Sequence, residues 1–204
     1  MQYQRAIPAA AAAARPLSAE TTPDARLVAL IVKGNKDAMR ILFARHHVRV
    51  FRFLLRIVNN EDTAQDLLNE VFIEVWRGAA RFEGRSQVTT WILGIARFKG
   101  LTSLRRRPFD SLDEEAADAI EAPGDDPEVA MQKADRSAIL QACLRQLSSA
   151  HRQVIDLVYY HEQSIEEIAH IIGVPQNTVK TRVFHARKRM AELIAARGIE
   201  RASL

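Results

Sequence analysis

Residues Ser164 to Met190, SIEEIAHIIGVPQNTVKTRVFHARKRM, constrain the chain more than any other stretch. Ser164 followed three residues later by Glu167 is a capping box, in which hydroxyl and carboxylate satisfy the free amides of a new helix. Ile165, Ile168, Ala169 and Ile172 then repeat at helical spacing. Gly173 supplies a left-handed end, and Pro175 restarts a helix from its first turn. The second helix gathers Val179, Val183, Ala186, Met190, Leu193 and Ile194 on one apolar stripe. Lys180, Thr181, Phe184, His185 and Lys188 fall mostly elsewhere, and the residues from Lys180 to Arg189 hold five bases and no acid. Two short helices about a Gly-Val-Pro turn, with a one-sided basic face, read as a helix-turn-helix that approaches phosphates with its flanks and base edges with its polar tips. The plainer alternative is an αα-hairpin whose basic face is simply solvated.

The remainder of the chain narrows the function class. Its 204 residues, 48% of them hydrophobic, suffice for one large or two small packed domains. No apolar run approaches the roughly 18 residues that span a bilayer, so no membrane insertion is expected. The first 23 residues, with six consecutive alanines broken by Pro8, Arg15 and Pro16, read as a disordered tail rather than a secretory signal. Cys143 is the only cysteine, which leaves no disulfide framework or thiolate metal site and fits a reducing cytoplasm. His46 and His47 are adjacent and cannot share a helix face as a metal pair. There is no Gly-rich phosphate loop and no nucleophile elbow, so neither metal, cofactor nor catalysis is expected. Residues 108–131 carry nine acids and no base, which leaves sixteen acids against 29 bases elsewhere. So uneven a distribution points to a polyanionic partner for the basic parts.

Helical periodicity organises the chain before the acidic stretch. A first helix starts near Thr22, with Pro23 at its first position, and ends at Gly34. A second begins after Asn35 with Met39, Leu42, Phe43, Val50, Phe51, Leu54 and Val58 as its stripe, and Asn59 and Asn60 break it. A third, from about Glu61 to Arg77, turns Ala64, Leu67, Leu68, Val71, Phe72 and Val75 inward. Asp62, Asp66, Glu70 and Glu74 form an acidic stripe on its outer face, either ordinarily solvated or a protein contact. After a polar loop containing Gly84 and Ser86, a fourth helix from about Thr89 to Arg106 places Trp91, Ile92, Ile95, Leu101 and Leu104 inward. Bases alternating with Phe82, Trp91 and Phe98 suit unstacked nucleobases, although a buried aromatic core competes, most strongly for Trp91.

Three stretches in order, DLLNEVFIEVWRGAARFEG, TTWILGIARFKGLTSLRRR and IEEIAHIIGVPQNTVKTRVFHARKR, resemble bacterial sigma factors of the extracytoplasmic-function type, over roughly residues 24 to 197. The resemblance implies an all-α chain of two small helical domains. A region 2 bundle over residues 24–107 would dock on core RNA polymerase and read the −10 promoter element, and a region 4 helix-turn-helix over 131–197 would read the −35 element. A flexible acidic linker, 108–130, would join them, with tails at 1–23 and 198–204. Asp62, Asp66, Asn69, Glu70 and Phe72 are then the face toward the β′ clamp helices, Asn69 standing where the family usually has glutamine. The loop from Phe82 to Thr90, including Gly84, Arg85 and Ser86, corresponds to the segment that captures a flipped −10 base. Trp91, Arg97, Phe98 and Lys99 continue that surface, with Phe98 and Thr102 where the family commonly has Asn and Asp. Lys180, Thr181, Phe184 and His185 match the −35 reading face, flanked by Thr178, Arg182, Arg187 and Lys188, and His185 replaces a commoner arginine. The resemblance also implies a β-flap contact, promoter DNA and an anti-sigma protein as partners.

Reach is compatible with this plan. Residues 108–130 span at most roughly 80 Å at 3.3–3.6 Å per residue, against about 50 Å between promoter elements one and a half turns apart. The linker's acids suit either a mimic of a transcript in the polymerase or a solvated spacer. A stand-alone helix-turn-helix regulator, binding duplex DNA without polymerase, is the alternative to a promoter-specific initiation factor.

Overall fold

The structure, a computed structural model, describes residues 22–106 and 138–197. The tail before residue 22, the acidic linker and residues 198–204 lie outside the described residues. The described residues are helices and their connections: α1 (Asp24–Val32), α2 (Lys36–Val58), α3 (Glu61–Gly78), a 3-10 turn (Ala79–Arg81), α4 (Val88–Arg106), α5 (138–145), α6 (Ser149–Tyr159), α7 (Ile165–Ile172) and α8 (Gln176–Ala195).

The breaks fall where side chains can replace lost backbone hydrogen bonds. Asn35 Oδ1 accepts the Ala38 amide at 2.9 Å and opens α2. Asn59 ends α2 in the left-handed conformation, and Asn60 Oδ1 accepts the Thr63 amide at 2.8 Å to start α3. In the last third of the chain Ser148 caps α6, and Arg152 reaches back to the carbonyls of Arg145 and Leu147 behind α5.

Helices α1 to α4 form one bundle. Its core joins Leu27, Val28 and Ile31 with Leu42, Val50, Phe53 and Leu54, and with Leu67, Leu68, Val71, Phe72 and Val75 of α3. A Leu, Val or Phe buried in this way contributes about 1.5–3 kcal/mol, so α3's stripe alone holds that helix in register. The periodicity expected for α3 matches the buried set. For α4 it does not. Ile92, Leu93, Ala96 and Gly100 face inward, while Trp91 and Ile95 are half-buried and Leu104 is exposed. The phase differs because α4 is apolar on more than one side and Gly100 gives no hydrophobic signal. A Cβ on Gly100 would meet Ile57 Cγ2 at 2.9 Å, so the missing side chain lets α4 lie close against α2.

Helices α5 to α8 make the second group. The capping box closes as expected: Ser164 Oγ accepts the Glu167 amide at 3.2 Å, and Glu167 Oε2 accepts the Ser164 amide at 2.8 Å. Gly173, at φ +73°, is in the left-handed region where a Cβ is penalised, and turns the chain into α8. Pro175 is the cap before α8 rather than its first helical residue. Val179, Val183, Ala186, Met190 and Leu193 are all buried beneath that helix.

The two groups touch. Helix α7 lies against α4, and the α6–α7 corner meets α2.

Candidate nucleic-acid interface

Helix α8 presents the expected reading face to solvent. Lys180, Thr181, His185, Arg187 and Lys188 are exposed, Phe184 is 64% exposed, and Thr178 and Arg182 are half-buried. Thr181 Oγ1 donates to the Asn177 carbonyl at 3.0 Å, which turns its hydroxyl proton to the backbone. The His185 ring meets Phe184 edge-on at 5.4 Å and borders a hollow of about 450 Å³ with His151, Lys188 and Glu192, on the flank of the face. Arg187 lies over the Tyr159 ring at 5.5 Å, a supporting cation–π contact to α6. Arg189 is paired with Glu192 on its own helix. No acid pairs with Lys180, Arg182 or Lys188 among the described residues, so their charge is available to an anion.

The surface around α4 is less open. Phe82 packs on Trp91 with ring centroids 5.0 Å apart, which makes Trp91 part support and part surface. Gly84 sits at the exposed tip of the loop, Arg85 is paired with Glu83, and Ser86 Oγ donates to the Gln87 carbonyl at 3.4 Å. Farther along, Phe98 is 65% exposed and joins Trp91, Gly94, Ile95 and Lys99 along a groove of about 450 Å³. The other wall of that groove is His170 and Ile171 of α7. A ring beside a lysine in a groove of this size suits an unstacked nucleobase.

Between the two surfaces runs a polar contact that sequence reasoning did not anticipate. Thr90, 1% exposed, places Oγ1 3.0 Å from Gln163 Oε1 and 3.1 Å from Glu167 Oε1, so one hydroxyl proton is shared between two acceptors. Burial opposes the charge on Glu167, but hydrogen bonds from Ser164 and Thr90 outweigh it and hold the carboxyl below its usual range. Arg56 of α2 pairs with Asp156 of α6 and lies over the Tyr160 ring at 3.8 Å. His161, 2% exposed, packs edge-on against Phe53 at 5.2 Å. Its Nε2 lies 3.3 Å from Asp156, but burial first, then Arg56 and Arg49, push its pKa down to about 4, so the ring is neutral near pH 7 and this contact is not an ion pair. Arg97 completes the contact from the other side. Its Nε is buried without a hydrogen-bond partner among the described residues, and burial, then the nearby Arg182, lower its pKa.

Known proteins resemble this chain in sequence and fold. Residues 42–108 match Sigma-70 region 2, and residues 137–190 match Sigma-70, region 4. The RNA polymerase sigma-H factor of Pseudomonas aeruginosa is 31% identical over 175 residues, covering 81% of this chain and 90% of that protein. The extracytoplasmic-function RNA polymerase sigma-E factor of Escherichia coli is 30% identical over 178 residues, covering 83% and 93%. The chain belongs to the sigma-70 family, in its extracytoplasmic-function group. It is an alternative sigma factor that directs transcription from promoters. The fold agrees: CnrH, solved with the cytosolic domain of CnrY, superposes with a TM-score of 0.63 at 23% identity over 85% of this chain and 97% of that one. RpoE of Bartonella quintana, solved with the anti-sigma factor NepR, gives 0.60 at 22% identity over 76% and 96%.

Family membership draws attention to the outer face of α3. Asp62, Asp66 and Asn69 are exposed on this sigma factor, and neither aspartate has a basic partner among the described residues. The expected four-residue acidic stripe is split. Glu70 is bridged to Lys99 at 2.9 Å and Glu74 to Arg81 at 2.9 Å, because residues four apart drift around the helix and the later two reach α4 and the 3-10 turn. Phe72 leaves the surface set: it is buried in the core, edge-on to Phe43 at 4.8 Å, and can act only by holding α3 in place. Ile73 and Trp76 take the exposed position beside the aspartates. Two apolar residues breaking the inward stripe of α3 were the sequence signal that they belong to this face.

Proposed function

We propose that residues 24–107 of this sigma factor dock on core RNA polymerase and capture the −10 strand, that residues 131–197 read the −35 duplex, and that 108–130 joins them. The carrying observation is the exposed, unneutralised cationic face of α8 on a helix-turn-helix whose turn is set by Gly173. Lys180, Arg182 and Lys188 attract phosphates, while Phe184, the Thr181 methyl and His185 meet base edges in the major groove. Around α4, Phe82, Trp91 and Phe98 offer ring faces to unpaired bases, with Arg85, Arg97 and Lys99 toward the backbone. Asp62, Asp66, Asn69, Ile73 and Trp76 form the polymerase-facing patch.

On this reading the factor performs no chemistry of its own and works in the cytoplasm beside the polymerase. No helix among the described residues is long and apolar enough to cross a membrane. An anti-sigma protein holds it inactive, by extension from the solved relatives that carry such partners.

Run-off transcription with purified core polymerase on genomic fragments, including the factor's own upstream region, tests the proposal. Start sites that require the factor are expected, and aligning them gives the two elements. Changing both Asp62 and Asp66 to lysine should abolish co-purification with core polymerase while the factor stays folded. Absence of transcripts, together with tight binding to a duplex without polymerase, would replace this reading with that of a stand-alone regulator.

A further inference from the structure

The hollow of about 450 Å³ on the flank of α8 is walled from two sides. From α8 come His185, Lys188 and Glu192, and from the turn before α6 and its first residues come Gln146, Ser148 and His151. Gln146 and His151 lie outside the helix-turn-helix, and the reading face makes no use of them. Their positions are fixed locally. Ser148 Oγ accepts the His151 amide at 3.3 Å, and Arg152 Nη2 donates to the Arg145 and Leu147 carbonyls at 2.9 and 3.3 Å, which ties the turn down. Helix α6 packs along α8, with Val154 and Leu157 buried on one and Ala186 and Met190 on the other, so the two walls do not shift independently. The side chains facing the hollow are those of an anion site. Lys188 is exposed with no acid paired to it, Gln146 offers an amide N–H and His151 a ring N–H, and none of these three side chains has a hydrogen-bond partner among the described residues. The carboxylate at the rim, Glu192, is held by Arg189 at 3.2 Å.

Placement decides which anion. Lys188 follows Lys180 by two turns of α8, about 12 Å along the helix at 1.5 Å per residue, and the major groove of B-DNA is about 12 Å wide. A recognition helix that meets base edges with its N-terminal half therefore carries Lys188, and the hollow beside it, across the phosphates at the edge of the groove. Resting on the −35 role given above to α8, we propose that Gln146 and His151, together with Lys188, seat one phosphate of the −35 duplex, so that the turn before α6 grips the backbone beside the groove that α8 reads. The seat is charge-assisted, an ammonium and two N–H donors converging from two sides on one phosphodiester. It reads no base. It fixes register instead, because a phosphate held at the edge sets how deep and how far along the groove Lys180, Thr181 and Phe184 stand. Glu192 faces the same anion and opposes it, and Arg189 offsets that opposition.

The test uses the full chain assembled with core polymerase and a labelled duplex carrying the −35 element. His151→Ala should weaken binding about tenfold, the worth of one charge-assisted hydrogen bond, and by the same factor on duplexes with altered −35 bases. His151→Lys, which keeps a donor and a positive charge, should restore binding. Gln146→Ala should act in the same direction as His151→Ala by less, and Glu192→Gln should strengthen binding. A set of duplexes, each with a single uncharged methylphosphonate linkage, then locates the contact. At one linkage the unaltered and His151→Ala factors should bind equally well, whereas a loss that was merely structural would persist at every linkage. If His151→Ala does not fold, Gln146→Ala, on the exposed turn, is read on the same duplexes. A difference that persists at every linkage would overturn the seat. So would binding that Lys180→Ala weakens but neither His151→Ala nor Gln146→Ala alters, and in both cases the role of α8 would stand. An unaltered factor that binds no −35 duplex with core polymerase would overturn the assigned function, and the seat with it.

Discussion

Helix α8 holds Phe184 at 64% exposure, with Lys180, Thr181 and His185 in solvent beside it. Helix α4 has Phe98 at 65%, but Thr90 at its start is sealed under Gln163 and Glu167. Both helices carry basic side chains and rings of the kind nucleic acid requires, yet one set is open to solvent and the other is partly covered. The difference follows from what each target is. A duplex offers its groove before anything opens, whereas a captured base must first leave the stack, and a surface with exposed rings for unpaired bases would bind any single strand it met.

Replacing Lys180 and His185 together with alanine tests the ready side and should have the largest effect. Each good contact is worth about 1–3 kcal/mol, so promoter-dependent transcription should fall at least tenfold while co-purification with core polymerase is unchanged. Loss of polymerase binding would break the contrast, because α8 would then serve both purposes. On the covered side, pH should act through His161, which faces Arg49 and Arg56 of α2 and Asp156 of α6. A base whose pKa is lowered from 6.5 to about 4 leaves the folded arrangement fully stable above pH 6.5, and that stability is lost as pH falls toward 4. The loss is at most about 3 kcal/mol. Melting temperatures measured from pH 7 to 4.5 should drop for the factor and drop less for His161→Phe. Equal pH profiles would show that the corner does not depend on a neutral ring.

Phe98→Ala, measured with polymerase present, should cost about 1–3 kcal/mol of strand binding, the worth of one stacked base. No change there would limit capture to the loop around Phe82 and Trp91. Smallest is Ser164→Ala, which removes one arm of the capping box and should lower stability by about 1 kcal/mol in chemical denaturation. Because Glu167 also receives Thr90, the same variant should loosen the cover over α4 slightly, and unchanged strand affinity would separate the cap from the cover.

How far the sequence spoke depended on whether an interaction was local. The helix-turn-helix was legible down to Ser164, Glu167 and Gly173 because cap, turn and stripe are set within a few residues of one another. The inward stripe of α3 was legible for the same reason. The phase of α4 was not, since an apolar residue such as Leu104 looks the same in sequence whether it faces the core or solvent, and Gly100 does not look like core at all. Phe72 carried two readings, inward by its spacing from Leu68 and Val75 and polymerase-facing by the docking motif, and its burial agrees with the first. Asp156, His161 and Gln163 carried no signal. Their partners Arg56, Phe53 and Thr90 lie more than seventy residues away, and periodicity does not report on pairs so distant.

Gly100 lets α4 lie against Ile57 so closely that no side chain fits between them, and this fixes the helix about its own axis. Phe98, two residues before it, and Thr102, two residues after it, are therefore presented from set points in space whatever residues occupy them. Those are the positions at which the resemblance implies asparagine and aspartate. With the −10 role proposed for this surface, a change of promoter preference follows from exchanging one side chain at a time, leaving the bundle untouched, so that new regulons become reachable by single substitutions rather than by rebuilding a domain.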